Sequence, residues 1–152
     1  MMNFRQQLQN GKPLLGTMVT LPTAATAEIL ADLGFDWLFL DAEHSALSYG
    51  DIQSILQAVS DRVACVVRLP AAEEVPVKRV LDLGAAGIIA PQVNSVEHAR
   101  DIVRYARYSP EGSRGVGLGR AHGYGMRFAE YMEYANDSVA VLVQAEHIDA
   151  VN

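Results

Sequence analysis

Short apolar runs alternate along this chain with stretches whose apolar positions recur at helical spacing, one pair roughly every 25 residues, as in a parallel α/β sheet. Leu14 to Thr20, after Gly11-Lys12-Pro13, reads as a first strand. Thr26, Ile29, Leu30 and Leu33 then fall at i, i+3, i+4 and i+7 of a helix closed by Gly34. Phe35 to Asp41 is a second strand. Ser48 and Asp51 form a capping box ahead of the stripe Ile52, Ile55, Leu56 and Val59. Val63 to Leu69 is a third strand, rich in β-branched residues. Glu73 to Leu83 is a helix closed by Gly84, and Gly87 to Ala90 a fourth strand. Ser95 caps a helix whose apolar face includes Val96, Ala99, Val103 and Ala106.

The segment from Tyr108 to Gly125 breaks the period. It holds Pro110 and six glycines (Gly112, Gly115, Gly117, Gly119, Gly123 and Gly125), and a long structured loop is usually functional or mobile. Arg127 to Tyr134 is helical again, and Val139 to Glu146 is a fifth strand. Two α/β architectures fit: an open doubly wound sheet, or a (β/α)₈ TIM barrel, which typically needs about 250 residues. No Gly-x-Gly-x-x-Gly follows the first strand, so a dinucleotide-binding sheet has no support. Ending on a fifth strand suits a barrel of which this chain covers the first five strands.

The chemistry collects where strands end. Trp37-Leu38-Phe39-Leu40 runs directly into Asp41-Ala42-Glu43-His44, and α/β folds place their sites at C-terminal strand ends. Imidazole is the side chain suited to moving protons near neutrality, which makes His44 a candidate general base. Arg68 ends the third strand. It suits either a bidentate grip on a substrate carboxylate or an ion pair with Asp41 or Glu43. Glu146 ends the fifth strand as a candidate ligand for a hard divalent cation, and Gln144 shares its face by strand alternation. Asp82 sits at a helix C-terminus, where the macrodipole disfavours an anion, so a role other than helix stability is expected. Arg114 and Arg120 suit an anionic substrate or a salt bridge at a subunit contact equally. His98 and His147 read as structural, and His122 is open.

With 152 residues, a net charge of −6 and a pI near 5.1, the chain has room for one core and no basic stripe, so nucleic-acid binding is not expected. No stretch approaches the ~18 apolar residues of a membrane span, and the N-terminus lacks the apolar core of a secretory signal. A cytoplasmic protein is expected. Cys65, the one cysteine, lies in Val63-Ala64-Cys65-Val66-Val67 and reads as an inert buried thiol.

Several blocks in order resemble the metal-dependent (class II) pyruvate aldolases of the HpcH/HpaI aldolase/citrate lyase family, whose type activity is 4-hydroxy-2-oxo-heptane-1,7-dioate aldolase. They are Gly34-Phe35-Asp36-Trp37, Asp41-Ala42-Glu43-His44, Val66-Val67-Arg68, Leu81-Asp82-Leu83-Gly84, Arg107 to Gly115 and Val143-Gln144-Ala145-Glu146. The resemblance implies a (β/α)₈ barrel, with residues 1–152 as the N-terminal part of a single aldolase domain. It also implies a divalent metal, magnesium, manganese or cobalt. Carried over by position, Glu146 is a direct metal ligand, Gln144 lines the substrate site, and Asp41 holds metal-bound water. Arg68 grips the pyruvate carboxylate, and His44 is the base, oriented by Asp82. The implied reaction cleaves a 4-hydroxy-2-oxo acid to pyruvate and an aldehyde, in a homo-oligomer when full length. The family's second acidic ligand, in an Asp-Leu-Ser segment beyond the fifth strand, is not in this sequence. An acyl-CoA lyase of the citrate-lyase type and a non-catalytic fragment or oligomerisation module are the competing readings.

Overall fold

A computed structural model describes residues 3–151. Five strands form one parallel sheet: β1 (Gly16–Val19), β2 (Trp37–Asp41), β3 (Ala64–Arg68), β4 (Gly87–Ala90) and β5 (Ala140–Val143). Their spatial order is the order of the chain, β1-β2-β3-β4-β5. A doubly wound sheet must reverse its strand order at a switch point. A sequential, all-parallel order has no such point and is that of the (β/α)₈ barrel, here carried through five strands.

Six helices accompany the strands: α1 (Phe4–Gln9), α2 (Ala24–Ala31), α3 (Tyr49–Val59), α4 (Glu74–Asp82), α5 (Val96–Ala106) and α6 (Phe128–Ser138). Strand alternation sends Leu38, Leu40, Cys65, Val67, Ile88 and Ala90 into one core with Ile52, Ile55, Val77, Val80, Leu81 and Ile102 of the helices. Trp37, Phe39, Ala64, Val66, Ile89, Ala140 and Leu142 point to the other face, where Phe4 of α1 packs among them. Burying a Leu, Ile or Val side chain fully is worth about 1.5–3 kcal/mol, and Leu38, Leu40, Val66, Val67 and Ile88 are all fully buried. These strands are the rigid frame of the site.

The α3 stripe holds as read: Ile52, Ile55, Leu56 and Val59 are its buried residues, and Ser48 and Asp51 form the capping box. The α2 reading is corrected. Its buried residues are Ala27 and Ala31, while Ile29 and Leu33 are exposed. Small side chains, rather than the large ones, let α2 lie close to α3. On α5, Ile102 and Ala106 are buried and Val96 is exposed. Among the described residues β1 and β5 are the sheet edges, and Met18 and Val143 there are half-exposed. No described helix is long and apolar enough to cross a membrane.

Candidate active site

Register makes Asp41 and Arg68 direct neighbours at the C-terminal ends of β2 and β3. Arg68 donates from Nε to Asp41 Oδ1 at 2.9 Å and from Nη2 to Oδ2 at 2.7 Å, a bidentate pair. Oδ1 also accepts the backbone N–H of Glu43 at 3.0 Å and of His44 at 3.1 Å. The Ser45 hydroxyl donates to the Asp41 carbonyl. Asp41 thus ends the strand, sets the turn that follows and fixes the guanidinium. It is 2% exposed. The hydrogen bond from Arg68 outweighs burial and, with the two backbone donors, holds its carboxyl at about 2, against an ordinary 3.8.

Glu43 Oε2 lies 3.3 Å from Arg68 Nε and 3.6 Å from His44 Nε2. It is the carboxylate shared by the guanidinium and the imidazole: the pair with Arg68 is one of the alternatives read from the sequence, and the contact with His44 is new. Arg68 also stacks on Phe39, 5.3 Å from the ring centroid. Its own pKa is raised, chiefly by the hydrogen bond to Asp41, with Glu43 and Glu146 adding their charges. His44 is turned to solvent, its side chain 71% exposed.

β5 supplies the other wall. Beyond its last paired residue, Gln144 N–H donates to Ala90 O at 2.9 Å and Val93 N–H to Gln144 O at 3.0 Å, so the ladder to β4 extends past the strand. The side-chain oxygen of Gln144 is buried with no hydrogen-bond partner, a state that costs about 1–3 kcal/mol. Glu146 Oε1 accepts the backbone N–H of Gln92 at 3.1 Å. Gln92 has φ +51, a left-handed conformation costing a non-glycine residue roughly 1–2 kcal/mol. The sequence carries no mark of this residue, because a backbone donor is independent of side-chain type.

Asp41 Oδ1 takes Arg68 Nε and the two N–H groups of the turn, whereas Oδ2 takes a single bond from Arg68 Nη2 and keeps an open lone pair. One expectation is corrected here. Asp82 does not meet His44 within this chain. It ends α4, before β4 begins, and so lies at the N-terminal end of the sheet, a strand length of roughly 13 Å from the rim that holds His44. There Asp82 Oδ1 accepts from Arg114 Nη2 at 2.7 Å.

Arg114 and Arg120 are structural as well. Arg114, with its side chain fully buried, lies over Tyr108 at 4.5 Å from the ring centroid and donates to Tyr131 Oη at 3.4 Å. Arg120 donates to the carbonyls of Leu83 and Leu56. His122 is buried in the same loop, its Nδ1 accepting from Gly125 N–H and its Nε2 lying 2.6 Å from Gly117 O. His98 Nε2 lies 2.9 Å from Ala72 O, and His147 caps a 3₁₀ turn, both structural as expected. Burial pushes the Cys65 thiol up to about 12, so it is not a nucleophile.

Among the described residues no three acidic, histidine or cysteine side chains are grouped as a metal cluster. Past β5 the rim carries the Glu146 carboxylate and the unpartnered Gln144 oxygen. Both are hard oxygen ligands, which fits a divalent cation in kind and supplies part of its coordination.

The sequence profile of the HpcH/HpaI aldolase/citrate lyase family matches residues 15–152. A 4-hydroxy-2-oxovalerate aldolase of Rhodococcus jostii RHA1 is 38% identical over 95% of this chain and 56% of its own length. A hydroxypyruvate/pyruvate aldolase of Roseobacter denitrificans is 40% identical over 95% of this chain and 57% of its own. The crystal structure of a family protein from Burkholderia cenocepacia J2315 superposes with a TM-score of 0.90 at 38% identity, over 97% of this chain and 60% of that one. The chain therefore spans somewhat over half the length of the relatives it matches.

Proposed function

The chain belongs to the HpcH/HpaI aldolase/citrate lyase family, and from that premise we propose that it carries the 2-oxo-acid end of a metal-dependent pyruvate aldolase site. The overall reaction is cleavage of a 4-hydroxy-2-oxo acid to pyruvate and an aldehyde. The observation that carries this reading is the fixed guanidinium of Arg68 on the same rim as two oxygen donors just past β5, one of them buried without a partner. Residues 1–152 are then the N-terminal part of a single barrel domain. The half-exposed Met18 and Val143 at the two sheet edges support that reading. Homo-oligomeric assembly and a cytoplasmic setting belong to the same proposal.

Each residue has a physical task. Asp41 and Glu43 engage Nε and Nη2 of Arg68, which leaves Nη1 to take the substrate carboxylate and the developing enolate oxygen. Phe39 packs against the guanidinium and helps hold it in place. His44, exposed and beside Glu43, accepts the proton of the 4-hydroxyl, and Glu43 steadies the imidazolium that results. The bond between carbons 3 and 4 then breaks, its electrons pass into the enolate, and the aldehyde leaves. Return of the proton to carbon 3 gives pyruvate. A divalent cation held by Glu146 and Gln144 would supply Lewis-acid polarisation of the 2-oxo group. No Schiff base is needed, and neither Lys12 nor Lys78 lies at a C-terminal strand end.

The test is pyruvate release from a 4-hydroxy-2-oxo acid, followed with and without a chelator and after restoring Mn²⁺. Activity abolished by the chelator and restored by the ion is expected. Full activity in excess chelator would refute the metal-dependent reading.

A further inference from the structure

We propose that the left-handed turn at Gln92 is a positioning device: its backbone N–H, not its side chain, presents Glu146 to the cation. Three bonds tie the β4–α5 turn to the end of β5. Ala90 O accepts from Gln144 N–H, Val93 N–H donates to Gln144 O, and Gln92 N–H donates to Glu146 Oε1 at 3.1 Å. The first two fix the strand, whereas the third reaches past it to a side chain. Gln92 is exposed and has φ +51 between the buried Pro91 and Val93. The N–H lies in the Pro91–Gln92 peptide plane, and the left-handed φ of Gln92 turns the chain after that plane so that Val93 N–H also reaches Gln144 O. Strain of this kind persists where the surroundings over-determine the backbone, and it clusters at functional sites.

The bond commits Oε1 of Glu146 and leaves Oε2 as the free oxygen. It also restrains an otherwise exposed side chain beyond the last paired residue of β5, close to the unpartnered Gln144 oxygen in sequence. A preset carboxylate loses less freedom on binding an ion, and outer hydrogen bonds of this kind change metal affinity about 10–100-fold. The inference rests on the reading of Glu146 as a metal ligand.

The experiment separates backbone from side chain. Replacing the Gln92 N–H by an ester oxygen, with the α-hydroxy analogue of glutamine at position 92, removes the donor without restricting φ. Gln92→Gly keeps the donor and relieves the left-handed strain. Mn²⁺ affinity is read by the free-ion EPR signal, and the Gln92 amide resonance is compared between the unmodified chain and Glu146→Ala. We expect the ester to weaken Mn²⁺ binding about 10–100-fold, Gln92→Gly to stay within about twofold, and the amide resonance to shift when the Glu146 carboxylate is removed. An ester protein that binds Mn²⁺ like the unmodified chain would overturn the proposal. A Gln92→Gly variant as weak as the ester would also overturn it, by assigning the effect to the side chain. If the amide shifts in Glu146→Ala but the unmodified protein binds no Mn²⁺, the turn positions Glu146 as described and it is the metal reading that fails. An amide blind to Glu146 removes the inference whatever the metal result.

Discussion

Replacing Asp41 by asparagine tests the site and the fold together. The Asp41→Asn side chain keeps an oxygen for the backbone donors of Glu43 and His44 but loses the negative charge facing Arg68. Its amide group also offers hydrogens where the guanidinium needs an acceptor. The Asp41 carboxyl is held at about 2 in the folded chain against an ordinary 3.8. Its folded-state value is depressed, so its contribution to stability is complete above about pH 5 and is lost as pH falls through 3.8 towards 2. At 1.36 kcal/mol per unit that contribution is about 2 kcal/mol at pH 7. By about pH 3 the unfolded carboxyl is mostly protonated and the folded one mostly is not, so roughly half of the contribution is gone. The assay is urea unfolding of the unmodified and Asp41→Asn proteins at about pH 7 and pH 3. The variant should be about 2 kcal/mol less stable at pH 7 and about 1 kcal/mol less stable at pH 3. A deficit that does not shrink with pH would show that its origin is packing rather than charge. No deficit at neutral pH would mean that Glu43, 3.3 Å from Arg68 Nε, fully substitutes for Asp41.

Three further substitutions divide chemistry from structure. His44→Ala should lower kcat by about 10²–10⁴ with Mn²⁺ affinity little changed; parallel loss of both would make His44 structural. Arg68→Lys keeps the charge but cannot hold Asp41 by two parallel bonds while engaging a carboxylate, so KM for the 2-oxo acid should rise roughly tenfold or more, and an unchanged KM would remove Arg68 from substrate binding. Arg114→Met should cost about 2–4 kcal/mol in urea unfolding, because a buried cation is lost from Asp82 and the two tyrosines, while KM of the folded fraction stays the same. A KM effect without a stability effect would return Arg114 to the substrate.

The fold was legible where side-chain size and helical period agreed. In α3 the large apolar residues at i, i+3, i+4 and i+7 are the buried ones, and the Ser48–Asp51 capping box marks the start. In α2 the two criteria separated: period and size favoured Ile29 and Leu33, but close approach to α3 selected Ala27 and Ala31. The rim was legible because strand polarity is written in the sequence, with apolar runs ending in Asp41, Arg68 and, past β5, Gln144 and Glu146. Which carboxylate the guanidinium takes was not. Asp41 and Glu43 are both within reach of Arg68, and only the register of β2 on β3 makes Asp41 its direct neighbour.

Asp82 shows the same limit from the other end of the sheet. Its place at the C-terminus of α4 is unfavourable to the helix, which signals a separate task, and the chemistry of that task looks identical in sequence to catalysis: a carboxylate, arginines and a histidine among glycines. Chain direction distinguishes them. Strand C-termini carry Asp41 and Arg68, whereas helix C-termini return to the opposite end, where barrels keep stability rather than catalysis. There Asp82 receives Arg114, and Gly119 lies so close that a side chain at that position would come within 2.6 Å of the Asp82 carbonyl oxygen. Gly119 is therefore required for close packing of this loop onto α4 rather than for cradling an anion. Arg68–Asp41 and Arg114–Asp82, two of the Arg–Asp pairs among the described residues, have the same 2.7 Å contact, and their different work follows from which end of the parallel sheet each one occupies.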